Sequence, residues 1–390
     1  MRPPTQAAIG RRASGFTLVE VMLATAILAV LVVMFAGMVS QTSKLWQRTT
    51  GKVEQFRSAR NAFENMSTRL SQATLNTYWD YLDASGQALT PANASTFVPA
   101  RYARQSELRF ISGQAKTVLT TKTGVTRLTH CVFFQAPLGY TTEPASGSAT
   151  AQKYRNYDNL LCSCGYYLEF GDDSAFRPPF ITTAIAPFRN RHRLMEFLPP
   201  AEKNNIYQYT SPPTGVNTYN KKTWYQPLVD AVPAANTPAN YHPIAENIVA
   251  LIITPRLSQE DELDFKGGTS SDDSPLAPAY DYDSAPGAAT DNRYSDSRLN
   301  PTNQLPPILQ VTMVAIDEAS AIRLNFDKNS ADVFGVSSKF AKGSDYSKDL
   351  LQSGGTDSLE STLIAKGVNY RIFNTNVTIR AAKWSREQIK

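Results

Sequence analysis

Hydrophobic and polar positions divide the chain near residue 80. From Val21 to Val39 the sequence VMLATAILAVLVVMFAGMV carries no charge over nineteen residues. At 1.5 Å per residue such a helix rises about 28 Å, close to the hydrocarbon thickness of a bilayer. Beyond it the apolar positions thin into a stripe of Trp46, Val53, Phe56, Phe63, Met66 and Leu70, spaced for one face of a helix. Charges cover the other faces, and Arg60 and Glu64 stand four apart, where a helix pairs them. No proline falls within residues 16–76. The pattern predicts one long helix over that span, with a bend or local melting near Gly37 or Gly51.

After Asp80 the helical period fades. Short runs of Val, Ile, Tyr and Phe between Gly, Pro and Asn clusters predict strands at 107–111, 128–134, 166–170, 194–197, 206–209, 248–253, 308–315 and 370–379. Residues 308–315 and 374–380 alternate as half-buried strands do, and Asp317–Leu324 reads as a short helix. The expected class is α+β: a long N-terminal helix, first transmembrane and then amphipathic, packed on antiparallel β-sheets. The expected divisions are a leader at 1–15, a membrane helix at 16–39, an amphipathic helix at 40–80 and a β-rich head at 81–390. Residues 81–104, 139–160 and 257–306 read as long loops in that head, the last an acidic insertion.

Charge adds an orientation. Arg2, Arg11 and Arg12, with no acid among them, precede the apolar run. They favour the cytoplasm for the leader, a single pass through the inner membrane, and a periplasmic or extracellular head. An ordinary export signal has a shorter apolar core of roughly 7–15 residues. Arg11-Arg12 also permits a twin-arginine reading. Both leave Glu20 unexplained, because a carboxylate inside a membrane costs about 2.5–3.5 kcal/mol and needs a partner. The whole chain carries +5, of which the leader supplies three arginines. The remainder is too near neutral to indicate nucleic acid. An apolar content of 42% is enough for a core.

Cys131, Cys162 and Cys164 are the three cysteines. They admit three readings: a disulfide from Cys131 to one of the other two, unpaired buried thiols, or a metal site with His130 that lacks a fourth ligand. Asp261, Glu262, Asp264, Asp281 and Asp283 offer oxygen ligands for calcium, or are simply solvated. No EF-hand spacing is present, and no other cofactor is indicated. Arg177, Arg189, Arg191, His192 and Arg193 form a basic cluster, read either as a DNA-binding surface or as ordinary surface charge. The G-x-S-x-G, Walker, H-E-x-x-H and dinucleotide patterns are absent, so no enzyme activity is expected.

The run Gly15-Phe16-Thr17-Leu18-Val19-Glu20, followed by the apolar segment, resembles the N-terminus of type IV prepilins, found in pilins and pseudopilins. The resemblance implies cleavage between Gly15 and Phe16 by a prepilin peptidase and methylation of the new Phe16 nitrogen. It also implies that Glu20 meets that amine on a neighbouring pilin-like subunit; otherwise Glu20 sits solvated at headgroup depth. A helix followed by strands is similar to the minor pseudopilin J family of type II secretion. The texture of Ser71–Tyr81 (SQATLNTYWDY) is similar to the Verru_Chthon cassette protein C family. These likenesses imply a structural, assembled protein, and a head of this size suits a minor subunit. Two other classes remain open. One is a binding or adhesion protein whose head displays Tyr166, Tyr167, Trp224 or Tyr225, residues that otherwise belong to the core. The other is an exported enzyme on a prepilin-type anchor.

Overall fold

The computed structural model describes residues 17–90, 92–142, 157, 159–178, 180–204, 224–230, 239–266, 272–285, 292–296 and 298–384, without the side chains of 47–55, 227, 292, 295 and 354. Gly15, Phe16 and the strand expected at 206–209 lie outside the described residues. The chain divides into two compact units, Met1–Glu54 and Gln55–Lys390.

Helix α1 (Leu18–Ser71) contributes to both. It is helical throughout, so the local melting expected at Gly37 or Gly51 does not occur. In the first unit every described side chain from Leu18 to Trp46 is exposed. In the second unit the predicted stripe turns into core: Phe63, Met66 and Leu70 are buried, joined by Ala59 and Ala62. Each of the three larger side chains contributes about 1.5–3 kcal/mol by leaving water. The helix ends at Ser71, five residues short of the expected proline-free span and nine short of the expected division at 80. Gln72 and Ala73 bond back to Arg69 and Leu70 at 3.0 and 3.1 Å, and Thr74 then bridges to Gln135.

The strands are β1 (Tyr78–Leu82), β2 (Arg101–Gln105), β3 (Ile111–Gln114), β4 (Thr126–Pro137), β5 (Leu161–Gly171), β6 (Arg191–Phe197), β7 (Tyr241–Glu246), β8 (Ile248–Arg256), β9 (Tyr282–Asp283), β10 (Ile308–Ile316) and β11 (Tyr370–Thr378). The later helices are short: α2 (Ala115–Val118), α3 (Gln226–Val229), α4 (Gln259–Phe265), α5 (Asn292–Ser295), α6 (Glu318–Leu324), α7 (Tyr346–Leu350) and α8 (Leu359–Ala365). All pairings are antiparallel: a six-stranded sheet in the order β7-β6-β5-β4-β3-β9, a three-stranded sheet β11-β10-β8, and the hairpin β1-β2. The α+β expectation therefore holds. Helix α6 falls where expected, with Asp317 as its cap accepting from Ser320 N at 2.9 Å.

A bulge joins the two larger sheets. Thr129 and His130 have no partners on β5, and Thr129 takes a left-handed φ of 54°. The bulge turns both side chains onto β8, where Thr129 Oγ1 accepts from Leu251 N at 3.2 Å and His130 Nδ1 accepts from Ile253 N at 3.1 Å. The end of α1 is tied to β6 as well. Arg69 donates to Glu196 at 2.5 Å, Tyr166 Oη donates to the same carboxylate at 2.7 Å, and His242 lies 3.2 Å from its other oxygen. Burial opposes the charge on Glu196, but hydrogen bonds from His242 and Tyr166 and the Arg69 charge hold its carboxyl below the usual range.

Two of the expected loops are structured. Residues 81–104 close a hairpin, with Tyr78–Leu82 paired to Arg101–Gln105. The acidic stretch 257–306 is built into the head rather than solvated around it. It supplies α4, α5 and β9, and buries Leu257, Leu276, Tyr280, Tyr282, Leu299 and Leu305. Most of the stretch at 143–160 lies outside the described residues.

Candidate functional site

The first described residues form a closed local unit. Thr17 stands at the N-cap of α1, and its carbonyl accepts the first helical bond from Val21 N at 3.2 Å. Glu20 N donates to Thr17 Oγ1 at 3.3 Å, while Thr17 N and Thr17 Oγ1 each donate to Glu20 Oε2 at 3.2 Å. This reciprocal Thr-x-x-Glu pair is a capping box, and the helix dipole also favours a carboxylate in the first turn. Glu20 is therefore neither idle nor dependent on another chain for its first partner. Its Oε1 makes no bond to the described residues. Thr17 is the residue that sequence reasoning missed, although the spacing from Thr17 to Glu20 was in plain view.

Behind the cap, Leu18–Trp46 is long and apolar enough to cross a membrane, and none of it is buried within the protein. Its 29 residues rise about 44 Å, against roughly 30 Å of hydrocarbon.

The cysteines are unpaired and buried. Of the three readings, the bridge from Cys131 is not formed, and the sheet explains why. Cys131 pairs with Tyr167, whereas Cys162 and Cys164 pair with Ala136 and Phe134, so the pleat sends Cys131 to the opposite face. Cys131 packs with Phe133 and Tyr167, and Cys164 with Val132 and Tyr166. Burial pushes the Cys164 thiol up to about 12 and raises the other two as well.

The five calcium candidates are not brought together. Asp281 pairs with Arg293 at 2.6 Å and Asp283 with Arg109 at 2.5 Å. Glu262 lies 3.3 Å from Arg256 and 3.8 Å from Lys266. Asp261 accepts from the Ser258 hydroxyl at 2.7 Å, and Asp264 is exposed on α4. Among the described residues no group of three His, Cys, Asp or Glu is placed to hold a metal ion.

Of the basic cluster only Arg189 is exposed, as ordinary surface charge would be. Arg191, His192 and Arg193 are buried on β6. Arg191 pairs with Glu318 at 2.6 Å, Arg177 with Asp173 at 2.7 Å, and Arg193 donates to the Gly171 and Asp172 carbonyls at 3.1 and 2.9 Å. The four aromatic candidates are core, with Tyr166, Tyr167, Trp224 and Tyr225 all buried. An exposed aromatic strip occurs elsewhere, on one face of the β1-β2 hairpin. Tyr102 stacks on Trp79 at 5.4 Å and meets Tyr81 at 5.0 Å, with Arg104 5.6 Å from the Trp79 ring. A cleft of about 730 Å³ opens beside β3 and β9. It is lined by two arginine–aspartate pairs, Gln114, Gln226 and Tyr294, with neither histidine nor cysteine among the described residues of its walls.

The profile of the prokaryotic N-terminal methylation motif matches residues 10–36, a span that covers Gly15, the Thr17–Glu20 cap and most of the apolar run. No curated protein and no solved structure matches the chain. The capped apolar helix and the methylation motif coincide: the N-terminus is of prepilin type, and its single apolar helix fits a membrane-anchored protein.

Proposed function

We propose that the chain is a minor pseudopilin-like subunit. A prepilin peptidase cleaves it between Gly15 and Phe16 and methylates Phe16. The apolar part of α1 anchors it in the inner membrane, with the leader cytoplasmic and the head outside. Other pilin-like subunits assemble with it into a short filament of the type II secretion or type IV pilus kind. It works by assembly and recognition, without a reaction or cofactor of its own. The observation that carries this reading is the methylation motif at 10–36, lying across the start of an exposed 29-residue apolar helix.

In this reading Glu20 has two tasks. Oε2 closes the cap of its own helix, and Oε1 receives the methylated amine of a neighbouring subunit. Two substitutions separate them. Glu20→Ala removes both cap and charge, whereas Glu20→Gln keeps a capping-box residue and loses only the charge. Loss of the cap costs about 0.5–2 kcal/mol of helix stability. Both variants are expected to be cleaved, with mature protein that begins at methylated Phe16 by mass spectrometry. Both are expected to lose copurification with partner pilins. Retention by Glu20→Gln would reduce Glu20 to a cap, and a native chain that still begins at Met1 would remove the pseudopilin reading altogether.

A second reading is an adhesion or capture protein on the same anchor, and the exposed Trp79–Tyr102–Tyr81 strip supports it. A Trp79→Ala variant that still assembles but no longer captures its target would favour that role.

A further inference from the structure

A sheet edge offers unpaired N–H and C=O groups to any passing strand, and native proteins usually guard such edges. Most edges of the larger sheets here are guarded. Strand β7 carries Pro243, which has no N–H to offer. Strand β9 is two residues long. On β8 the N–H groups of Leu251 and Ile253 are taken by Thr129 and His130 from the β4 bulge.

Strand β11 has none of these devices. It pairs with β10 along all nine residues, Tyr370 to Thr378, without a register shift, and no described strand lies on its other side. It contains no proline, no glycine and a single charge, Arg371. Two of its apolar side chains are left half-covered, Ile372 toward one core cluster and Phe373 toward the other, while Val377 is buried. An added strand would complete their burial.

The charge around this edge selects the occupant. From Lys366 to Trp384 the chain has four cations, Lys366, Arg371, Arg380 and Lys383, and no Asp or Glu; Glu360 reaches the start of the strand, where it accepts from Tyr370 Oη at 2.6 Å, and leaves the cations in excess. All four are exposed, and among the described residues none is in an ion pair. A second copy pairing through β11 would double the cations along one seam. An acidic strand would neutralise them.

We propose that the outer edge of β11 receives an extended, acidic segment of another protein as a fourth strand of the β11-β10-β8 sheet, by main-chain pairing steered by these cations. This goes beyond the assembly reading and holds whether or not the chain enters a filament.

The test uses the detergent-solubilised full-length chain and three synthetic nine-residue peptides: alternating Val and Glu, alternating Val and Lys, and the Val/Glu peptide N-methylated at alternate amides. The Val/Glu peptide is expected to bind, to slow amide exchange in residues 370–378, and to weaken as salt rises. The Val/Lys and N-methylated peptides are expected to fail. The Arg371→Glu, Arg380→Glu double variant is expected to bind the Val/Glu peptide about tenfold or more weakly and to accept the Val/Lys peptide instead. Equal binding of acidic and basic peptides, undiminished binding of the N-methylated one, protection outside β11, or peptide-free dimerisation through β11 would each overturn the proposal. The comparison of peptides on the unaltered chain decides it even if the double variant does not fold.

Discussion

Lowering the pH from 7 to 5 is expected to destabilise the head by about 4 kcal/mol, a large share of the roughly 5–15 kcal/mol typical of a folded domain. Two buried histidines are responsible. Burial pushes both His130 and His192 down to about 4. His130 is held as the neutral ring, with Nδ1 accepting from Ile253 N at 3.1 Å and Nε2 donating to Phe340 O at 3.0 Å. His192 Nε2 donates to Ala331 O at 2.9 Å, and its ring is packed against Phe170 and Phe326. The unfolded chain takes up these protons near pH 6.5, and the folded chain refuses them until about pH 4. The stability they preserve is therefore complete above pH 6.5 and drains away as the pH falls toward 4, by about 2 kcal/mol per histidine between 7 and 5. Glu169 works in the opposite direction, because burial raises its carboxyl. Thermal unfolding of the solubilised chain, followed by aromatic fluorescence at several pH values, checks the slope. His130→Gln and His192→Gln should each lower stability at pH 7 yet flatten the pH dependence by about half. An unchanged slope in the double variant would place the acid sensitivity elsewhere.

Gly165→Ala is expected to cost about 3 kcal/mol, a severe effect for one added methyl group. Gly165 lies opposite Phe133 in the β4-β5 register. A Cβ there would stand 2.3 Å from Phe133 Cδ1 and 2.6 Å from Cε1. Phe133 has nowhere to go. Its ring stacks on Tyr225 at 4.4 Å and meets Phe197 at 5.8 Å, Tyr167 at 6.2 Å and Trp224 at 6.4 Å. The glycine is thus the hollow into which the largest aromatic cluster settles. The matching check is a double-mutant cycle. Gly165→Ala combined with Phe133→Leu should be markedly less destabilised than the sum of the single changes, because the smaller side chain vacates the clash. Simple additivity would show that Phe133 is not what the methyl group meets.

How far the sequence could be read depended on whether a segment's burial showed in its own residues. Strands β8, β10 and β11 and helix α6 fall where their patterns put them; β8 and β10 are buried over most of their length, whereas β11 and α6 keep only one or two fully buried side chains. The β1-β2 hairpin was hidden, since Tyr78–Leu82 mixes exposed aromatics with an acid and its partner lies across a long connection. Strand β7 was hidden by Pro243, which an edge strand tolerates. The stretch 257–306 misled through composition. Asp283 finds Arg109 across the fold and the scattered Leu and Tyr residues are buried, neither of which a local window records, while Glu262 and Asp281 pair with the nearby Arg256, Lys266 and Arg293. The basic cluster misled for the same reason. At the N-terminus, the apolar run and Glu20 were legible as an anchor and its acid. The Thr17–Glu20 cap is written in the same residues, as a Thr-x-x-Glu spacing at the start of an apolar run.

Because one thiol lies on one face of the β4-β5 pair and two on the other, the head has no covalent staple to acquire. Its fold rests on noncovalent contacts and should survive excess dithiothreitol with its unfolding transition unmoved. Such a protein needs no oxidising foldase to mature, and it can be produced in a reducing host without a refolding step.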